Sequence, residues 1–189
     1  MNIKYVVLAL LFAGCNKTAF LGKSPSSSLA VPSSVKDFQA LLDYSAVMNT
    51  TPSFGALSSD NYYLSSGMWQ SSMAPDKGLY AWETDIYQGT TTSNDWNLPY
   101  QQIFITNEVL EGIINLPSSA SRDAIEGAAL FFRAHAYYNL AQVFAPGYDR
   151  SSAAQSMGLP LKLTTNINEV VPRATVADTY NQVITGLIS

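Results

Sequence analysis

Apolar positions recur at helical spacing in four stretches of the chain and lose that spacing between them. In the first, Val35, Phe38, Leu41, Leu42 and Ala46 share a stripe behind a capping Ser34 with Asp37 three positions on, which predicts a helix ending near Asn49, before Pro52. The second opens at Leu98-Pro99, where a first-turn proline lacks only an N–H that has no helical partner. It carries Tyr100, Ile103, Phe104, Val109, Leu110, Ile113 and Ile114 until Pro117. The third runs from a Ser121 cap, opened by Arg122-Asp123, to Pro146-Gly147, with Ile125, Ala128, Ala129, Phe132, Ala136, Leu140 and Val143 facing inward. The short link between the second and third predicts an antiparallel hairpin, and its alanines let the partner approach closely. The fourth starts at Thr175 and presents Val176, Tyr180, Val183, Ile184 and Leu187, with Asp178 in its first turn.

From Thr50 to Asn97 no apolar period of 3.6 lasts beyond a turn, and Gly55, Gly67, Gly78 and Gly89 punctuate short polar pieces. This stretch holds Trp69, Trp82 and Trp96, with Tyr62, Tyr63, Tyr80 and Tyr87 interleaved. Residues 146–172 read as an irregular crossing with one alternation, Leu159, Leu161 and Leu163, that leaves room for a short strand. The expected fold class is mainly α: tetratricopeptide-like helical hairpins with a long irregular, aromatic-rich loop region, although no 34-residue period occurs twice.

The amino terminus changes this picture. Tyr5 to Gly14 is an apolar run of about ten residues, half of the roughly twenty that a spanning helix needs. Lys4 precedes it and the small residues Ala13 and Gly14 close it, the layout of a secretory signal. Phe12-Ala13-Gly14-Cys15 then resembles a bacterial lipobox, in which the thiol is acylated and the chain is cut before it. Cys15 is the single cysteine of 189 residues, so it has no disulfide partner, and acylation accounts for its solitude. The competing reading is a plain signal peptide with an incidental cysteine. The expected organisation is a lipoprotein signal peptide at 1–14, an extended Ser- and Pro-rich tether at 15–33 and a helical domain at 34–189. Removing residues 1–14 takes away Lys4 and leaves nine Lys and Arg against 14 Asp and Glu, a net charge of −5. That balance supplies no basic patch for nucleic acid. Two or three acyl chains anchor a protein stably without a transmembrane helix, at about 0.8 kcal/mol per buried methylene.

The lipobox cysteine, FLGKSPSSSLAVPSSVKDFQALLD, DWNLPYQQIFITNEVLEGI, ALFFRAHAYYNLAQVFAPGYD, GLPLKLTTNIN and PRATVADTYNQVI occur in an order that resembles the SusD/RagB family of outer-membrane nutrient-binding lipoproteins. The resemblance covers nearly the whole chain. It implies a helical scaffold of tetratricopeptide-like units whose loops bind oligosaccharides or similar nutrients at the cell surface and pass them to a TonB-dependent transporter. Family members are typically more than twice as long, so the chain reads as the amino-terminal part of an incomplete SusD-like fold, with the carboxy-terminal half absent. A different class of function stays open: a helical scaffold that docks on a membrane partner without a ligand site of its own.

A glycan presents flat C–H faces edged by hydroxyls, so its site needs aromatic plates beside polar side chains. In DNYYLSSGMWQSS, Trp69 is the expected plate, with Tyr62, Tyr63, Asp60 and Gln70 around it. Packing of Trp69 under its own loop is the competing reading. Trp82, in YAWETDIYQG beside Ile86 and Tyr87, is expected in the core, and Trp96 is expected to pack against the helix that follows it. Arg133 is expected to pair with Glu108, Glu111 or Glu126. The lone His135 has no second His or Cys to make a zinc site. Glu83 and Asp85, two apart and about 6–7 Å from each other if extended, form no convincing acid pair. No nucleophile elbow, phosphate loop or metal cluster stands out, so no catalytic role and no cofactor is expected.

Overall fold

The computed structural model describes residues 31–89 and 93–188. The signal segment, Cys15 and the tether as far as residue 30 lie outside the described residues. The architecture that follows belongs to the unit Ser33–Ser189. Among the described residues it has eight helices and one two-stranded sheet.

Helix α1, Val35–Leu42, starts where the sequence placed it. The Ser34 hydroxyl accepts from the Asp37 N–H, while the Asp37 carboxylate accepts from the Ser34 N–H, closing a capping box. It stops seven residues earlier than predicted: Asp43 ends it, and the remainder of that stripe forms a separate turn, α2, Ser45–Met48. Phe38 and Leu42 of α1 and Val47 and Met48 of α2 enter the core together. Three further short helices occupy the stretch read as loops: α3, Phe54–Leu57; α4, Ser66–Ser71; and α5, Ala74–Tyr80. Each is too short to develop an amphipathic period, which is why periodicity did not find them.

Two long helices dominate. Helix α6, Asn94–Ile113, begins a turn before Leu98, so Pro99 lies inside it, fully buried, and its missing N–H leaves the Asp95 carbonyl without the usual donor. Helix α7, Ala120–Phe144, is capped by Ser119, whose hydroxyl accepts from the Arg122 N–H at 3.2 Å, and not by Ser121. The predicted hairpin of α6 and α7 is present. Ile103, Val109, Ile113, Ala129, Ala136, Tyr137 and Leu140 are fully enclosed between these helices and their neighbours.

The crossing contains two short strands, β1, Met157–Pro160, and β2, Arg173–Thr175, paired antiparallel with Met157 opposite Thr175. Gly158 is there because the chains touch: a Cβ on it would strike the Thr175 backbone and the Thr179 hydroxyl. The last helix, α8, Val176–Ile188, lies antiparallel on α7, with Tyr180 bonded to Gln142 and Gly186 set against Ala134. Arg173 fastens this corner by donating to the carbonyls of Gly158 and Phe144, both at 2.6 Å.

Candidate functional site

The aromatic stretch between α2 and α6 is held to the hairpin by polar bonds. Gln102, buried on α6, donates to the carbonyls of Val47 at 2.7 Å and Thr50 at 2.8 Å. Asp95, only 7% exposed, accepts from the Phe54 N–H at 2.7 Å and the Ser53 hydroxyl at 3.1 Å. Phe54 is thereby set against Tyr87 and Phe144, with ring centroids 6.2 and 6.0 Å away. Trp96 packs on Tyr100 at 4.8 Å and edge-on to Phe144 at 5.0 Å, in the structural role expected of it, although it stands in the first turn of α6.

The residues expected around the ligand are distributed as follows. Trp69 is half-buried on α4; its indole N–H donates to the Lys77 carbonyl at 3.2 Å, and the Lys77 ammonium stands 4.4 Å from the ring centroid. One face of that plate therefore carries a cation. Tyr62 is half-buried, donates to the Leu57 carbonyl at 2.6 Å and stacks obliquely on Tyr80 at 5.5 Å. Tyr63 is 82% exposed, and Asp60 and Gln70 are exposed as well. Among the described residues no hydrogen bond joins any of these five to another.

Trp82 corrects the expectation that placed it in the core. It is 73% exposed, and its backbone is left-handed, with φ of 54°. The cause is the way α5 ends. Tyr80 is the last helical residue and Ala81 the cap; the Trp82 N–H bonds to the Leu79 carbonyl at 3.2 Å and the Glu83 N–H to the Gly78 carbonyl at 2.9 Å. This pair of bonds is the Schellman closure, whose left-handed residue is usually glycine. Here tryptophan holds it. A bulky residue in that conformation costs about 1–3 kcal/mol and persists where its surroundings over-determine it. The indole N–H is pinned to the Ser58 carbonyl at 2.9 Å, so the ring stands out from the surface in a fixed position. Ile86 takes the packed place instead, over Gly78, where a Cβ would come 2.8 Å from the Ile86 Cα.

A cleft of about 390 Å³ opens beside that closure, between α3, α5 and the end of α7. Phe54, Ser58, Leu79, Ile86, Tyr87 and Gln142 are among its lining residues. Its walls are thus apolar and aromatic with a hydroxyl, a phenol and an amide among them. A second cleft, of about 540 Å³, shares Phe54 and is bordered by Met73, Asp76, Ser93 and Asp95.

The carboxylates near Trp82 are both engaged in the turn that follows, Asp85 by the backbone and Glu83 by the Gln88 side chain. Glu83 accepts from the Gln88 amide at 2.8 Å, and Asp85 accepts from the N–H groups of Tyr87 and Gln88, forming a turn. Arg133 also departs from expectation. It donates to the Asn107 side chain at 2.9 Å, while Glu126 pairs with Arg122 and Glu111 receives the Thr165 N–H and hydroxyl. Burial holds the Arg133 guanidinium below its usual pKa. Asn107, fully buried, passes the connection on to the carbonyls of Lys162 and Thr164, while Tyr137, its phenol pushed up in pKa by burial, donates to Lys162 as well. This network fastens the crossing to the hairpin. His135 stacks flat on Phe131 at 6.0 Å and lies beside Asn139. Among the described residues no group of three or more His, Cys, Asp or Glu could hold a metal, and no helix is long and apolar enough to cross a membrane.

A family profile described as SusD-like, starch-binding and associating with the outer membrane, matches residues 19–188. The chain belongs to the SusD-like family. Among solved structures it is similar to a SusD superfamily protein from Bacteroides thetaiotaomicron VPI-5482, with 21% identity and a TM-score of 0.55. That match covers 81% of this chain and 36% of the other, so the chain spans about a third of the length of its solved relative. At this identity the likeness establishes the fold: a mostly helical SusD-like architecture, represented in part. No curated protein sequence matches it.

Proposed function

We propose that this SusD-like chain is a surface lipoprotein, anchored to the outer membrane through acylated Cys15, that binds oligosaccharides or similar nutrients and passes them to a TonB-dependent transporter. The observation that carries the reading is the family match over residues 19–188, whose description joins starch binding to outer-membrane association. The aromatic arm supports it, since Tyr63 and Trp82 present exposed rings on a framework tied to the hairpin. Trp69, Tyr62, Asp60 and Gln70 border the same arm and complete the proposed ligand-facing set with Tyr63. The chain acts as a binding protein; its carboxylates at 83 and 85 are engaged in the turn they close.

Two measurements test this. Radiolabelled palmitate should enter the expressed protein and be absent from Cys15→Ser; label that persists in the variant removes the lipid anchor. Calorimetric titration of the purified chain with maltooligosaccharides should give saturable binding. If no oligosaccharide binds while the chain still captures a membrane transporter, the scaffold reading replaces the receptor reading.

A further inference from the structure

We propose that the second cleft, bordered by Asp76, Ser93 and Asp95, binds a primary ammonium group carried on a small apolar or sugar body. This is a different ligand chemistry from the oligosaccharide binding proposed above and does not depend on it. The hydroxyl of Ser93 has no use in the fold. Ser93 stands at the N-cap of α6, where a serine side chain ordinarily accepts from an N–H of the first turn, and no such bond forms. Its Oγ is buried, borders the cleft and has no hydrogen-bond partner, the one side-chain nitrogen or oxygen so placed among the described residues. A buried hydroxyl left in that state costs about 1–3 kcal/mol, which a donor arriving through the cleft would offset.

Charge selects the donor. Asp76 and Asp95 both border the cleft, and no Lys, Arg or His is among its lining residues. Neither acid belongs to an ion pair among the described residues, and the cation next along the chain, Lys77, is turned over the Trp69 ring at 4.4 Å. Asp95 accepts one hydrogen bond on each oxygen, from the Ser53 hydroxyl and the Phe54 N–H, which leaves about half of a carboxylate's acceptor sites open. Asp76 is exposed in the first turn of α5 and holds no hydrogen bond among the described residues. The start of α6 brings the positive end of a helix dipole, worth about half a charge, so two carboxylates still leave the cleft negative. Two charged acceptors and one neutral one match the three N–H donors of an ammonium. A divalent cation fits less well, since no third acid or histidine completes a ligand set among the described residues. Phe54, Met73 and Pro75 form an apolar wall for the body of the ligand, and the cleft's volume of about 540 Å³ is that of a small-molecule site.

The test follows amide chemical shifts of the full chain at about pH 6, where an amine is protonated and aspartates are ionised. The probes are glucosamine, 1,5-diaminopentane and, as the uncharged counterpart of the first, N-acetylglucosamine. At least one of the two amines should give saturable shifts at Asp76, Lys77, Asn94 and Asp95, and N-acetylglucosamine should not; which amine binds separates a sugar body from a linear one. Asp76→Asn, an isosteric change at an exposed position, should weaken the bound amine about fivefold. Ser93→Ala should weaken it about threefold while keeping or raising the thermal midpoint, because it removes a buried hydroxyl that caps nothing, so the lost affinity cannot come from unfolding. No saturable shift with either amine, equal binding of N-acetylglucosamine, or affinity unchanged in either variant overturns the site. None of these outcomes bears on maltooligosaccharide binding, which the calorimetric titration reads separately.

Discussion

The α6/α7 hairpin and the aromatic arm at 53–89 are the same protein held together in two ways. In the hairpin, whole side chains leave water: Ile103, Val109, Tyr137 and Leu140 have no exposed surface, and α8 and the β1–β2 corner lie over the far end. In the arm every ring but that of Phe54 is half-buried or exposed, and position depends on a few polar bonds, from Asp95 to Phe54, from Trp69 to Lys77 and from Trp82 to Ser58. Burial of apolar area is cooperative and insensitive to detail, whereas a polar tie fixes one point and leaves its surroundings free. A scaffold suits the first and a ligand surface the second.

The comparison breaks most visibly at Leu140. Leu140→Asp would put a carboxylate at a fully enclosed position among Ile103, Tyr137 and Leu159, out of reach of water. A loss of about 4 kcal/mol or more is expected, seen as failure to unfold cooperatively in thermal denaturation. An unaltered transition would mean that α7 packs by a different face.

Glycines allow a direct contrast between the regions. Gly158→Ala drives a methyl into the Thr175 backbone, which cannot move without separating β1 from β2, so a cost of about 3 kcal/mol is expected. Gly55→Ala in α3 meets nothing within 4 Å and should stay within about 0.5 kcal/mol. Denaturant midpoints of the two variants check this; equal losses would show the arm to be packed as tightly as the corner.

The hairpin was legible because long amphipathic helices repeat their message over many turns: Ile125, Ala129, Ala136 and Leu140 lie where the period put them, and all are buried. So were the Ser34–Asp37 box and the start of α8, where the Thr175 hydroxyl and Asp178 close a similar cap at 2.7 Å. The arm was not legible for the opposite reason. Helices of four to seven residues carry no period, and whether a tryptophan is inside or outside depends on one backbone angle. Trp82 looked like core beside Ile86 because composition cannot show that a helix closes on it left-handed. Arg133 misled in another way: three glutamates offered themselves in the sequence as partners, but among the described residues the hydrogen bond of its guanidinium goes to the uncharged Asn107 across the hairpin.

Asp95 tests whether polar ties hold the arm. Asp95→Ala leaves the buried Phe54 N–H without an acceptor and frees the Ser53 hydroxyl, with about 2 kcal/mol expected. Hydrogen exchange at Phe54 and along α3 should quicken while the amides of α6 beyond Gln102 keep their protection. Protection unchanged in α3 would mean that the ring contacts of Phe54 with Tyr87 and Phe144 suffice alone.

The smallest effect sharpens the same comparison at the surface. Asp37, like Asp95, holds an incoming segment by accepting from backbone N–H groups, those of Ser33 at 3.1 Å and Ser34 at 3.0 Å, but it does so in water. The hydrogen bond from the Ser34 hydroxyl, with those backbone bonds behind it, keeps its carboxyl below the ordinary value of 3.8. A folded-state pKa lowered in this way gives a contribution that is complete above the unfolded value and is lost as the pH falls through the folded one. Amides of the first turn of α1 should therefore exchange faster, relative to those of α6, at about pH 2 than at about pH 5. Asp37→Asn should show the frayed turn at both values, having no carboxyl to titrate. Equal protection at the two pH values in the native chain would mean that Phe38 and Leu42, packed in the core, anchor α1 without help from its cap.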